Sequence, residues 1–177
     1  MAETDQLPEH SLPEKIQDLA AAGALIGNDF RLQINGLVAQ PLELDLAALE
    51  AFPRVSFQET FHCEEGWSAE DLGWRGIRLT DLLALSRPLA AARAVRIHSA
   101  QPEFVVPLSM DQVQKALLCD FLNSERLSVA HGAPFRLVVP GEVCFTSVKW
   151  VRRIELVAEA GLNEAERIAL GRLPGRS

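Results

Sequence analysis

The sequence predicts a single α+β domain, and three observations carry that prediction. Apolar–polar alternations of strand type recur along the chain, with short helical patterns interspersed between them rather than segregated to one end. No internal repeat, low-complexity tract or convincing linker divides it. At 177 residues, with 48% hydrophobic and 23% charged residues, the chain is long and apolar enough for one substantial core.

The first dozen residues are polar and contain prolines, and they are expected to be loose. Ser11 and Glu14 have capping-box spacing, and Ile16, Leu19 and Ala20 follow at helical spacing. A helix is therefore predicted that ends near Gly23 or Gly27. Phe30, Leu32 and Ile34 alternate with polar residues up to Asn35-Gly36, which reads as a strand ending in a turn. Leu42, Leu44 and Leu46 predict a second strand, followed by a short helix from Ala47 to Phe52. Val55, Phe57, Glu59 and Phe61 would share one face of a third strand, with Cys63 next in phase. Trp74–Ile77 is predicted as a further short strand and Thr80–Leu85 as a helix. Val95, Ile97 and Ser99 share a strand face, with Phe104–Leu108 as partner. Ser109 and Gln112 repeat the capping pattern and open a helix expected to run to about Leu118. Phe135, Leu137 and Val139 form a strand, as does Val151–Val157, and a last helix is expected over Glu164–Leu170, capped by Asn163 and Glu166. The resulting organisation is an N-terminal arm and helix (1–29), a main domain (30–160) and a C-terminal helix and tail (161–177).

Charge and composition narrow the function. A net charge of −7 argues against nucleic-acid partners, which select a basic footprint. No apolar run approaches the ~20 residues of a membrane helix, so no membrane role is expected. The N-terminus is acidic rather than basic and apolar, and the expected location is the cytoplasm. Cys63, Cys119 and Cys144 make no even framework for disulfides.

The run Phe61-His62-Cys63-Glu64-Glu65-Gly66-Trp67-Ser68 is the most informative segment. A lone cysteine at a strand end, entering a Gly-Trp turn, suits one thiolate offered to a soft metal. On the strand pattern alone its commoner role is that of a buried core residue. No second cysteine follows at zinc-finger or iron–sulfur spacing.

Three further runs decide between these readings. They are Trp74-Arg75-Gly76-Ile77-Arg78-Leu79-Thr80-Asp81-Leu82-Leu83, His131-Gly132-Ala133-Pro134-Phe135-Arg136 through Pro140-Gly141, and Ser147-Val148-Lys149-Trp150-Val151-Arg152-Arg153-Ile154. In this order, and together with the Cys63 run, they resemble the molybdopterin-binding domain of the sulfite oxidase family, over roughly Phe30 to Val157. The resemblance implies a mixed-sheet domain of that type. It also implies a molybdenum–molybdopterin cofactor with Cys63 as the protein's metal ligand and catalytic centre. Chemically this fits, because one thiolate leaves metal positions open for oxo groups and substrate.

The second half would hold the anionic phosphate of the pterin. Arg136, Lys149, Arg152 and Arg153 lie close in sequence, with Glu142 the one acidic residue between them, an unusual cationic excess in an acidic protein. Backbone N–H groups from Thr146 to Val148 would make an anion nest that the Ser147 hydroxyl and Lys149 ammonium complete. By family position His131, Arg136, Ser147 and Lys149 match cofactor contacts, and Ser99, at its strand end, is a further candidate. For at least one of Arg152 and Arg153 a solvated strand face is the expected role rather than ligation.

Departures from the family pattern leave two readings open. Cys144-Phe145-Thr146 stands where many relatives carry Gly-x-Lys, so one phosphate-side cation is lost. The first reading is a cofactor-dependent oxidoreductase performing oxygen-atom transfer on a small molecule and exchanging electrons with a separate partner, since the chain carries no haem-attachment motif. The alternative is a cofactor-free relative acting as a binding or interaction module. Between Arg54 and Arg75 lie Glu59, Glu64, Glu65, Glu70 and Asp71 and no Lys or Arg, which disfavours a dianion such as sulfite. A neutral or cationic substrate such as an S-oxide or N-oxide is expected instead, unless these carboxylates are ordinary surface charges.

The role of Cys63 has a direct test. Cys63→Ser is expected to abolish the metal's absorption signature and turnover while leaving the far-ultraviolet circular dichroism unchanged, because a hydroxyl is a much poorer ligand than a thiolate. A serine variant that kept both would make Cys63 a core residue.

Overall fold

Each apolar alternation in the sequence becomes a strand of one of two sheets. A computed structural model describes residues 11–62, 68–142 and 146–161, and the expected helix over Glu164–Leu170 lies outside them. The first sheet contains β1 (Leu32–Gly36), β2 (Leu42–Leu44), β5 (Ala94–Ser99), β6 (Val105–Ser109) and β10 (Val151–Val157), in the order β2-β1-β10-β5-β6. It is mixed: β1 and β10 run parallel and the other neighbours antiparallel. The second sheet orders β3 (Val55–His62), β4 (Ser68–Arg78), β7 (Leu117–Leu122) and β8 (Glu125–Arg126), and β9 (Arg136–Val138) also pairs with β7. Its pairings are all antiparallel.

The helices are short and cover the sheets. α1 (Glu14–Ala21) buries Ile16 against Leu25 and Trp150. α2 (Leu46–Glu50) is capped by Asp45, whose carboxylate accepts from Ala48 N at 2.8 Å. α3 (Leu79–Ser86) places Leu79, Leu82 and Leu83 in the main core with Phe30, Ile34, Ile97, Leu137 and Ile154. α4 (Met110–Lys115) opens with the expected Ser109/Gln112 capping box. No helix among the described residues is long and apolar enough to cross a membrane.

Three sequence expectations are corrected and one is met. The first helix starts after Pro13, with no side-chain cap from Ser11; proline presets the entry to the first turn without a hydroxyl. The strand expected to turn at Asn35-Gly36 does so: β1 ends at Gly36, whose φ is +87°, Val38 N donates to Gly36 O at 2.8 Å, and the chain returns as the antiparallel β2. The helix expected to reach Leu118 stops at Lys115, and Leu117–Leu122 becomes β7, a strand flanked by β4, β8 and β9. Ala116 to Cys119 are all buried, so this continuous apolar run fills a doubly covered strand, which periodicity alone does not separate from a buried helix. The short strand predicted at Trp74–Ile77 is the end of the much longer β4, which carries a bulge opposite β3.

One ionic group is drawn into this second layer. Asp120 is 2% exposed and accepts from Arg54 Nη2 at 2.9 Å, with Arg126 Nη1 at 3.4 Å. The pair ties the end of α2 to β7, and removing either partner would strand a buried charge.

Gly76 is where β4 crosses closest to β7. A Cβ there would lie within 2.5 Å of Cys119 Cα and closer still to Leu118 O. The two strands would have to separate, so Gly76→Ala is expected to cost about 1–3 kcal/mol of stability, the usual range for overpacking a filled core. Urea unfolding followed by tryptophan fluorescence measures it, as a lower midpoint at unchanged slope.

Candidate functional site

The cationic cluster is built where β9 leaves the second sheet and the chain returns as β10. β9 is buried on both faces, so its side chains alternate between the two cores. Leu137 joins the main core, whereas Val138 joins the second-layer cluster of Trp74, Leu117, Cys119 and Leu127. Arg136 points to that second side, stands opposite Cys119 in the ladder, and is only 6% exposed. Its guanidinium lies 5.3 Å from the centre of the Trp74 ring, a cation–π distance. Its Nε donates to Ser147 Oγ at 2.8 Å, and its Nη1 is 3.5 Å from His131 O.

Ser147 is fixed in turn. Its hydroxyl donates to Leu137 O at 3.0 Å, and Leu137 and Val148 exchange both backbone hydrogen bonds at 2.8 and 3.2 Å. Thr146, immediately before, is buried. The outgoing strand start is pinned by the 128–134 turn. Trp150 Nε1 donates to Val129 O at 2.7 Å, Lys149 Nζ to Ala130 O at 2.6 Å, and Trp150 N to Gly132 O at 3.1 Å. Gly132 adopts φ +111°, and a Cβ there would press on the Lys149 side chain at 3.0 Å, so glycine is required on both counts. His131 closes the same turn, its N bonded to Ser128 O at 3.1 Å and its Nδ1 3.2 Å from Ser128 Oγ.

The structure thus brings His131, Arg136, Thr146, Ser147 and Lys149 into one patch. Ser99 stands behind it: its hydroxyl donates to Lys149 O at 2.9 Å and accepts from Gln101 N at 3.0 Å, so both hydrogen bonds serve the scaffold. Cys63, the expected metal ligand, lies outside the described residues, as does Cys144. Among the described residues no group of three His, Cys, Asp or Glu side chains is placed to hold a metal ion.

Arg152 and Arg153, adjacent to the patch in sequence, are directed elsewhere. Arg152 donates to Ala24 O and lies over the Phe30 ring at 4.9 Å. Arg153 meets His98, which Glu155 also contacts at 2.9 Å. Burial lowers the His98 pKa below the ordinary imidazole value, Glu155 opposes that shift, and Arg153 reinforces it. Cys119 is a different matter. Burial pushes its thiol far above the ordinary range, although the Arg136 guanidinium pulls the other way, so it stays protonated and inert.

Two residues escaped the sequence reading as site groups. Trp74 is fully buried, and its indole Nε1 has no hydrogen-bond partner among the described residues. A buried donor left so beside a buried guanidinium suits an acceptor-rich ligand. The available signal was its alternation with Arg75 in β4, which sends Trp74 inward. Glu59 was read as part of an acidic neighbourhood, but its Oε1 accepts from Gly141 N at 2.5 Å. Nothing in a linear pattern pairs residues so far apart.

Comparisons with known proteins place the sequence and the fold. A family model described as the oxidoreductase molybdopterin binding domain matches residues 20–164. The chain is 33% identical over 132 residues to the uncharacterized oxidoreductase YuiH of Bacillus subtilis, covering 73% of this chain and 66% of that protein. It is 28% identical over 149 residues to the protein-methionine-sulfoxide reductase catalytic subunit MsrP of Campylobacter jejuni, covering 74% of this chain and 50% of that one. Among solved structures, the sulfane dehydrogenase SoxCD from Paracoccus pantotrophus superposes with a TM-score of 0.70 at 30% identity, over 75% of this chain and 39% of its own. The mixed-sheet fold expected from the sequence is therefore that of a solved relative. On the match over most of its length, the chain belongs to the oxidoreductase molybdopterin-binding domain family.

Proposed function

We propose that this protein is a molybdopterin-dependent oxidoreductase that transfers an oxygen atom between water and a small neutral substrate, an S-oxide in the first instance. Each oxygen moved is accompanied by two protons and two electrons, the electrons passing to or from a separate carrier. The observation that carries the reading is the convergence of buried and half-buried donors in one patch: Arg136, Ser147, Lys149 and the Trp74 indole N–H.

The donor set fits the expected cofactor. A pterin phosphate and its ring oxygens accept hydrogen bonds and carry negative charge, which Arg136 and Lys149 would balance and Ser147 and Trp74 would orient. When bound, the cofactor supplies the redox metal and its oxygen-transfer chemistry. The chain supplies position. The buried Arg136, fixed by Ser147 and the Trp74 face, offers its guanidinium without further side-chain ordering, and the 128–134 turn fixes the height of Lys149. Cys63 would contribute its thiolate from the segment that follows β3.

The substrate class rests on charge and on one relative. The cations that flank the Cys63 segment in sequence are committed elsewhere. Arg54 is paired with the buried Asp120. Arg75 alternates with the inward Trp74 and stacks on Phe121 at 4.4 Å on the opposite face. Neither supplies the positive charge a dianion such as sulfite would need. At ~4–6 Å and an effective dielectric of about 20, each uncompensated like charge costs on the order of 3–4 kcal/mol. The similarity to a protein-methionine-sulfoxide reductase catalytic subunit favours an S-oxide.

Two measurements test these assignments. Lys149→Ala, purified from a host that makes the molybdenum cofactor, is expected to hold cofactor one to two decades less tightly, since a charge-assisted hydrogen bond is worth roughly 1.5–3 kcal/mol. Cys119→Ala is the packing control, and equal loss in both variants would reduce the effect to general destabilisation. Steady-state assays of the loaded protein with artificial electron carriers are expected to show turnover of small S-oxides and none of sulfite at micromolar concentration. Efficient sulfite turnover would reverse the substrate assignment, and protein without molybdenum or pterin would leave a binding module.

A further inference from the structure

Glu59 is a half-buried carboxylate on a strand face that otherwise carries apolar side chains. It shares the inward face of β3 with Val55 and Phe57, which pack against the cluster around Trp74 and Cys119. Among the described residues it makes no ion pair. Its Oε1 instead reaches across to Gly141 and accepts the backbone N–H at 2.5 Å. A side-chain oxygen at this distance from a backbone N–H satisfies that donor directly.

The receiving turn is held from a second direction. Glu142 N closes it on Val139 O at 3.2 Å, and Glu142 Oε2 accepts from Gln112 Nε2 at 3.1 Å. That same Gln112 amide caps α4 through Ser109 N at 2.9 Å. Residues 139–142 are thus clamped between β3 and α4. They stand at the exit of β9, on the path to Thr146, Ser147 and Lys149.

The backbone of β3 changes at the same level. Glu59 pairs with Leu72 and Phe61 with Ala69, so Thr60 stands against both Glu70 and Asp71, and Asp71 takes a left-handed φ of 50°. Such a bulge bends and re-aims the strand beyond it. Beyond it the chain continues to His62 and then to Cys63. The acceptor on Gly141 therefore sits at the last regular pair before the strand is redirected.

We infer that Glu59 is a positioning residue: its carboxylate couples the strand leading to Cys63 to the 139–142 turn, and so sets the register of the Ser147–Lys149 side of the cofactor site. The inference rests on the proposed function and assigns a role within it. It also removes Glu59 from the acidic groups that a substrate would meet. Reach and acceptor capacity are what matter, not charge. Supporting groups behind a metal or cofactor ligand commonly change affinity 10- to 100-fold when removed.

The test uses the full chain produced in a host competent for the cofactor, as wild type, Glu59→Ala, Glu59→Asp and Glu59→Gln. Three quantities are read: hydrogen exchange of peptides covering 139–142, molybdenum and pterin content after gel filtration, and the melting temperature. Alanine and the shorter aspartate are expected to speed exchange in 139–142 and to lower molybdenum occupancy about tenfold or more. Glutamine, which keeps both the length and an acceptor oxygen, is expected to restore both to wild-type values, with melting temperatures close throughout. Aspartate behaving as wild type, or glutamine behaving as alanine, overturns the assignment. So does faster exchange without cofactor loss. If the wild type itself carries neither molybdenum nor pterin, the functional reading falls and this one with it; if the wild type is loaded and all variants equally so, this one alone falls.

Discussion

The antiparallel exchange between Leu137 and Val148 is the contact on which the arrangement of the molecule turns. β9 is hydrogen-bonded to β7 of the second sheet, while the segment from Val148 runs directly into β10 of the first. Two hydrogen bonds at 2.8 and 3.2 Å therefore join the sheets at one point. Because β9 lies between two cores, alternate side chains must serve both. Leu137 meets the main core, and Arg136 is driven into the second layer with almost no access to water. A guanidinium so placed needs hydrogen-bond acceptors and a polarisable neighbour. Ser147, His131 O and the Trp74 ring answer that need, and all three are placed by the same exchange and the strands beside it.

Around this joint the polar groups divide into those that hold the scaffold and those without a scaffold partner among the described residues. Ser99, Gln112 and the Arg54–Asp120 pair belong to the first group, since their bonds run to backbone or to buried partners within the fold. The Trp74 N–H belongs to the second, as a fully buried donor with no described partner. Lys149 belongs to the first group as well, its ammonium anchored on Ala130 O at 2.6 Å and lying 5.7 Å from the centre of the Trp150 ring.

The chain matches 66% of YuiH, 50% of MsrP and 39% of the SoxCD chain it superposes on. Its similarity is concentrated in the family-matched region of residues 20–164, where the cationic patch lies. Within it Arg136 is buried and held by Ser147 and the Trp74 face, so its side chain is already ordered by the fold.

By itself the sequence determined the strand patterns, the Ser109/Gln112 cap, the family and the residues of the patch, because each of these is written in local spacing or contiguous motifs. It misread Ala116–Leu118 as the end of a helix, because a strand buried on both faces has no period to distinguish it from one. It grouped Arg152 and Arg153 with Arg136 by proximity along the chain, whereas strand geometry turned them toward Ala24 and His98. It counted Glu59 as a free negative charge, and only the crossing of β3 beside the 139–142 turn gave that carboxylate its backbone partner. What the tertiary structure decided in each case was direction. Residue type and spacing say which chemistry is present, but which face a side chain occupies, and which distant backbone group it meets, is set by how two sheets pack across a common strand.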